Sequence, residues 1–323
     1  MRTFVTGATG FIGAHVARKL LERGDQVVAL VRSPDKASDL REQGAELIEG
    51  DLSNVDAIKR GAEGAEAVFH LGAIYKLGIP KKDREGMIDT NVGGTERVLD
   101  AAHEAGVPRI VYVSTVNVFG NTGGRVVDET YRRDESEGFL SCYDETKYRS
   151  HTVAEERIAR GYPIVMVQPG GVYGPNDHSE VGNMIEQVRT GKLKAKAFPD
   201  MGIMLVYVED VADGVLLAHD KGEIGESYVL AGEKTTMGEI VDRAAELSGR
   251  KPPRLTMPTL MIKASAPLGP LVGPALGFPP NLRELISASD GVTYWATDDK
   301  ARRELGFQPR DMETGLRETL AAA

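Results

Sequence analysis

Three glycines at three-residue intervals follow directly on the first apolar run of the chain and open a helical pattern: Thr6-Gly7-Ala8-Thr9-Gly10-Phe11-Ile12-Gly13. No other feature of the sequence limits the fold as tightly. Glycines at these places permit a sharp turn, a close approach of backbone to a pyrophosphate, and close packing of helix on strand. The free N–H groups at the helix start then face the phosphates together with the positive helix end. A tight turn without a ligand is the plainer alternative. The strand before the glycines and the helix after them favour a dinucleotide site.

The rest of the first two-thirds fits that start. Thr3 to Thr6, Gln26 to Val31, Glu46 to Glu49, Ala67 to Leu71, Ile110 to Ser114 and Ile164 to Gln168 read as short strands, most of them apolar on both faces. Amphipathic stretches separate them, clearest at Ile12 to Arg23 and Thr95 to Ala105. Strand and helix in alternation imply right-handed crossovers and an α/β fold with a doubly wound parallel sheet. After Gln168 the regularity stops at Pro169-Gly170-Gly171. One more strand (Leu205 to Val208) and helices at Val211 to His219 and Met237 to Ser248 are expected beyond it. The expected division is a dinucleotide-binding domain over 1–170 and a smaller, mainly substrate-binding domain over 171–323, with parts of 205–232 returning to the first sheet.

A length of 323 residues suits one large α/β unit or two unequal ones. The net charge of −9 and the lack of a basic run argue against a nucleic-acid partner. One cysteine, Cys142, allows no internal disulfide. Met1-Arg2-Thr3-Phe4-Val5 has no secretory pattern, so a reducing, cytoplasmic location is expected. The apolar stretch 255–278 is interrupted by Lys263 and several prolines, which argues against a membrane span and for a buried or pocket-lining segment. The six histidines form no close pair in sequence, so no metal site is expected.

Two further patterns carry chemistry. Tyr143 and Lys147 stand one helical turn apart in Tyr143-Asp144-Glu145-Thr146-Lys147, on one face of a helical pattern. An ammonium near a phenol stabilises the phenolate, which would let the pair exchange a proton with a carbonyl or alcohol oxygen. Taken alone, the spacing equally describes a solvated helix face. Ser114-Thr115 closes the fifth strand, and strand carboxyl ends in an open sheet face the ligand crevice.

The glycine spacing together with Tyr143 and Lys147 resembles the short-chain dehydrogenase/reductase superfamily. Thr6-Gly7-x-x-Gly10-Phe11-Ile12-Gly13 resembles its extended, epimerase/dehydratase-like branch. That resemblance implies a Rossmann fold and a catalytic set of Thr115, Tyr143, Lys147 and Asn91. Thr115 would hold the substrate oxygen beside Tyr143, and Asn91 would support the lysine through backbone and water. It also implies cofactor contacts from Gly7, Thr9, Gly10, Phe11, Ile12, Gly13, Asp51, Leu52, Leu71, Gly72, Ala73, Tyr143, Lys147, Pro169, Gly170 and Val172. Gln168 stands where the branch often has arginine. A homodimer is implied by the resemblance alone.

Within the branch, nucleotide-sugar enzymes bind a diphosphate, for which bidentate arginine is the natural group. Met201-Gly202-Ile203-Met204-Leu205-Val206 and Ser287-Ala288-Ser289-Asp290-Gly291 carry none where it is common. The pattern looks more like the dihydroflavonol-reductase-like subgroup, with a less polar pocket. The expected activity is NADPH-dependent reduction of a ketone or aldehyde in a small-molecule substrate. A nucleotide-sugar epimerase or dehydratase with bound NAD is the alternative, and a non-catalytic NAD(P)-sensing protein a second one. NADP is expected over NAD because Val31-Arg32-Ser33 ends the second strand without a carboxylate, and Arg32 could bind a 2′-phosphate. Asp35 is a competitor for that arginine.

Overall fold

The glycine turn lies where two strands diverge in sequence but stay adjacent in space. Strands are β1 (Arg2–Thr6), β2 (Gln26–Val31), β3 (Glu46–Glu49), β4 (Ala67–His70), β5 (Ile110–Val113), β6 (Ile164–Pro169), β7 (Gly171–Tyr173), β8 (Ala195–Lys196), β9 (Gly202–Tyr207), β10 (Ser227–Leu230), β11 (Glu233–Thr236) and β12 (Leu255–Thr256). The computed structural model describes residues 1–269 and 278–322. Seven of the strands form one parallel sheet in the order β10-β6-β5-β4-β1-β2-β3. The strand order reverses between β1 and β4, and ligands of open α/β sheets bind in the crevice at such a point.

Both faces of the sheet are apolar because helices cover both. Val5, Ala29, Phe69, Val111 and Val167 pack on one side with the helices Phe11–Glu22 and Val208–Lys221. Phe4, Val28, Val68, Tyr112 and Met166 pack on the other, under the helices Val55–Ala62, Gly94–Glu104 and Cys142–Ala159. Beyond the carboxyl ends of β5 and β6, β7, β9 and β11 make a three-stranded sheet, β7 parallel and β11 antiparallel to the central β9. β8 and β12 form a short separate pair.

The expected strands agree with the observed ones to within a residue or two in the first sheet. The segment 205–208 differs: the strand spans Gly202–Tyr207, and the helix starts at once at Val208, with Tyr207 as its extended N-cap residue. The apolar stretch is also different from expectation. Its short helix Thr259–Ser265 buries Ile262 against Leu282, Leu285 and Ile286, but Leu255, Leu260 and Met261 face outward. A one-turn contact face covers only one side of a helix, so the remaining apolar residues stay outside the core. Positions 270–277 of that stretch, and Ala323, lie outside the described residues. No described helix is long and apolar enough to cross a membrane.

Candidate active site

The turn after β1 is built from backbone. Gly7 has φ of +77°, and a Cβ there would meet the backbone of Leu71 and Gly72 in the β4 loop. Gly10 N–H donates to the Gly7 carbonyl at 2.9 Å. Gly13 lies so close to Gly7 that a Cβ would sit 2.0 Å from its oxygen. The helix Phe11–Glu22 has Gly10 as N-cap, with no side chain capping it and no acidic residue in its first turn. Its leading N–H groups, at Phe11 and Ile12, are therefore left for a ligand. Thr9 and Gly10 are exposed beside them.

The neighbouring loops fit around this turn. Leu71 N–H donates to the Thr6 carbonyl, and Gly72 N–H to Thr6 Oγ1. Leu52 is buried between Gly72 and Gly94, and Ala73 is exposed. Asp51 accepts from both the N–H and hydroxyl of Ser53, which with lesser contributions, Arg32 among them, holds its carboxyl below the usual range. Arg32 is exposed and makes no ion pair among the described residues, so Asp35 does not take it up. Arg32, Gly50, Asp51, Asn54 and Arg60 line one cavity of about 890 Å³, together with Ser53 and the β3 residues, Glu46 and Glu49 among them. Glu46 is paired to Arg2 at 3.1 Å. Arg60 was not legible as a site residue. It comes from the last turn of an amphipathic helix, and nothing in its local pattern marks it.

Tyr143, Lys147, Thr115 and Asn91 converge at the carboxyl ends of β4 and β5. The helix Cys142–Ala159 starts at the cap Ser141, whose Oγ accepts from Asp144 N–H at 3.0 Å. Asp144 is buried, paired with Arg133 at 2.7 Å, and accepts from Leu140 N–H. Tyr143 therefore lies on a helix turn that is fixed on both sides. Thr115 is the neighbour whose hydroxyl opposes the rise of the Tyr143 pKa. Thr115 itself accepts from Asn117 N–H at 3.2 Å and caps the short turn Val116–Phe119. Ser114 points the other way, to His151 Nδ1 at 2.9 Å, because alternate residues of an extended chain face opposite sides.

Lys147 is buried beneath this turn. Its Nζ donates to the Val113 carbonyl at 3.0 Å and lies 3.4 Å from the Tyr112 hydroxyl. Burial brings its pKa down to about 8. The expectation that the ammonium depresses the tyrosine is corrected here. Burial dominates at Tyr143 and pushes its pKa up, with the phenol of Tyr112 and the carboxylates Asp144 and Glu180 adding to the rise while Thr115 opposes it. The lysine is directed to the end of β5 rather than to the phenol, so its charge does not offset the lost hydration.

Asn91 does not touch Lys147. It sits in a widened turn, Asp89–Gly93, of the helical run that continues to Glu104. Its amide donates to the Ile74 carbonyl and to Thr146 Oγ1, both at 3.0 Å, and accepts from Ile74 N–H. The widened turn frees its carbonyl to accept from Ser150 Oγ at 2.8 Å. Asn91 thus ties the loop after β4 to the helix of Tyr143. His70 is a second buried tie, between Thr6 Oγ1 at 2.7 Å and Thr95 Oγ1 at 3.1 Å, stacked on Tyr112. Burial and the charge of Lys147 bring its pKa down to about 3, so it is neutral.

Over Tyr143 lies Tyr75, edge-on with ring centroids 4.7 Å apart. The Tyr75 hydroxyl donates to Glu180 Oε2 at 2.9 Å, across the cleft to the helix Glu180–Arg189. Neither residue was expected from sequence, since the loop 71–80 and the 174–180 turn carry no motif that pairs them. Pro169 ends β6, and Gly170 passes so close to Met204 that a Cβ would sit 2.4 Å from its carbonyl oxygen. Val172 is half-buried against the sheet. Ile203 and Met204 are buried in the apolar cluster of the smaller sheet, with Met201 packed against it. Gln168 is buried, and neither polar atom of its amide has a partner among the described residues.

Comparison with known proteins bears on this arrangement. The family described as "NAD dependent epimerase/dehydratase family" matches residues 3–231. A "Putative dihydroflavonol 4-reductase" of Synechocystis sp. is 33% identical over 97% of this chain and 92% of its own length. A "4-hydroxy-2-methyl-3-oxo-4-farnesyl-3,4-dihydroquinoline-1-oxide ketoreductase" of Stigmatella aurantiaca is 32% identical over 96% of this chain and 92% of its own. The crystal structure of gox2253 superposes with a TM-score of 0.83 at 34% identity, covering 99% of this chain and 97% of that one.

Proposed function

The chain belongs to the NAD-dependent epimerase/dehydratase family, whose members are NAD(P)-dependent oxidoreductases and epimerases, and from that premise we propose that it reduces a ketone or aldehyde with NADPH. The observation that carries this reading is the placing of Tyr143. It is buried in the first turn of the helix Cys142–Ala159, with Thr115 at the end of β5 and Lys147 one helical turn on, held to the Val113 carbonyl. A phenol set among these groups at the carboxyl ends of the strands is placed to give a proton to a carbonyl oxygen, which is the role that reduction requires.

The cleft fits a dinucleotide on its own features. The helix after the glycine turn has an uncapped start, and side chains at Gly7 or Gly13 would fill the space at that turn. Gly7, Thr9, Gly10, Phe11, Ile12 and Gly13 would hold the pyrophosphate. Asp51, Leu52, Leu71, Gly72 and Ala73 would flank the adenosine half. Pro169, Gly170 and Val172 would lie along the nicotinamide half, with Tyr143 and Lys147 beside it. The bound cofactor supplies the hydride. Arg32, exposed and without an ion pair among the described residues, and Arg60 in the same cavity support a 2′-phosphate and hence NADP.

Thr115 Oγ and the Tyr143 hydroxyl would together receive the carbonyl oxygen. Tyr143 would give its proton to that oxygen as charge develops there. Lys147, charged below about pH 8, is held at the end of β5 and would bind the nicotinamide ribose of the cofactor. Asn91 would keep the β4 loop and the Tyr143 helix in register. Glu180 places a carboxylate over the site, which disfavours an anionic substrate and favours a neutral carbonyl compound.

Purified protein should oxidise added NADPH in the presence of an uncharged ketone or aldehyde. A protein that purifies with tightly held NAD, leaves NADPH untouched and interconverts a nucleotide sugar would instead be an epimerase.

A further inference from the structure

The helix that carries Tyr143 receives a second cap from far away in the chain. Ser141 satisfies the N–H of Asp144, as an ordinary cap does. The N–H of Cys142, the residue before Tyr143, donates instead to Glu284 Oε1 at 2.6 Å, across 142 residues of sequence. Glu284 lies in the first turn of the helix Leu282–Ser289 and is only 6% exposed. Its other oxygen accepts from the Asn281 amide at 3.0 Å and lies 3.6 Å from Arg84 Nη2. Asn281 N–H in turn donates to the Gly78 carbonyl, in the loop that carries Tyr75. One buried carboxylate therefore joins the helix of Tyr143 to the helix Leu282–Ser289, and through Asn281 to the β4 loop.

Burying a carboxylate is costly unless it is paired and hydrogen-bonded. Three partners offset that cost here, and the positive start of the Tyr143 helix adds to them. The contact is one residue from the phenol. A short hydrogen bond links the 282–289 helix to the first turn of the 142–159 helix.

We propose that Glu284 is a positioning residue. It sets the place of the Tyr143 hydroxyl, and it couples that place to the helix Leu282–Ser289. The inference rests on the reading of Tyr143 as proton donor. Removing the carboxylate leaves the Cys142 N–H buried without an acceptor, and the first turn loosens.

Three measurements on Glu284→Ala and Glu284→Gln test this. Amide hydrogen exchange over residues 142–146 should speed up in the alanine variant and stay near the parent in the glutamine variant, whose amide oxygen still accepts. Turnover of the alanine variant should fall by about 10- to 100-fold, as expected for misplacement of a reacting group by an ångström or less. KM and cofactor affinity should stay within about threefold, and glutamine should restore most of kcat. Added to Tyr143→Phe, the alanine change should cost nothing more, because its effect passes through the phenol.

Parental turnover in Glu284→Ala, or full additivity with Tyr143→Phe, overturns the proposal. So does a parallel loss of kcat, KM and cofactor affinity. If Glu284→Ala does not fold, Asn281→Ala removes one support of the carboxylate, and the same exchange, kinetic and double-variant measurements apply to it. If Tyr143→Phe itself keeps the parental rate, the proton-donor reading fails. The exchange result then still reports whether Glu284 holds the helix.

Discussion

Residues 7–13 offer a ligand little except backbone: three glycines, one positive φ and a helix start with no side-chain cap. Around Tyr143 the offer is side chains, nearly all buried, with Asn91 and Lys147 each fixed by a partner from another element. The two regions border one crevice and differ in what they tolerate. A backbone site has no room for an added atom but is indifferent to pH. A side-chain site accepts an isosteric exchange without loss of fold, yet its chemistry hangs on single atoms and on which of them carry protons.

The largest effect should come from the smallest change in shape. Tyr143→Phe removes one hydroxyl, and turnover should fall about 10²–10⁴-fold, the usual range for a general acid. The cofactor dissociation constant should stay near the parent's. Steady-state rates with NADPH and titration of cofactor fluorescence check both, and an unchanged rate removes Tyr143 from the chemistry.

Gly13→Ala should do the reverse. Its Cβ would lie 2.0 Å from the Gly7 oxygen, which is backbone and cannot rotate away. The turn has to open, at a cost of about 3 kcal/mol, or roughly a hundredfold in cofactor affinity. Turnover at saturating cofactor should change much less. Calorimetric titration would expose the opposite result, an unaltered affinity, and with it a turn that holds no phosphate.

Arg32→Ala tests the edge of the backbone site, where a side chain takes over. Losing a charge-assisted hydrogen bond costs about 1.5–3 kcal/mol, one to two decades of NADP affinity. NAD affinity should hardly move. A parent that binds NAD as tightly as NADP, or a variant that keeps the full preference, dissociates Arg32 from the 2′-phosphate and leaves Arg60 to be examined.

The smallest effect at neutral pH concerns His70. Its pKa is about 3 in the fold against an ordinary value of 6.5, so the unfolded chain takes up a proton more readily between those values. The stability it contributes is complete above about pH 6.5 and is lost as pH falls towards about 3. His70→Gln can still bridge Thr6 and Thr95 but does not titrate. It should match the parent's melting temperature near pH 7 and lose less of it at pH 4. Parallel melting curves against pH would show that His70 does not drive the acid sensitivity of the buried cluster.

Much of this molecule could be read in its letters, unevenly. The strand runs of the first sheet and the glycine turn were legible because each is a local pattern. An apolar run bounded by glycine is a strand wherever it lies, and a glycine marks a place where a Cβ does not fit. Tyr143, Lys147 and Thr115 were legible as candidates by spacing and by resemblance, but their electrostatics were not. Spacing suggested that the lysine depresses the phenol. The fold buries both and directs Lys147 to Val113, and dehydration then outweighs the charge.

What the sequence determined by itself, then, is the alternation that makes a doubly wound parallel sheet and the glycine turn at its switch point. These depend on residues within a few positions of one another. The tertiary structure alone decided which side chains meet: Tyr75 with Glu180, His70 between Thr6 and Thr95, Arg32 and Arg60 in one cavity, Glu284 on the helix of Tyr143. The strength of a hydrogen bond or a charge depends on distance and on the water excluded around it. Both are properties of packed surfaces that lie far apart along the chain, and no local pattern records them.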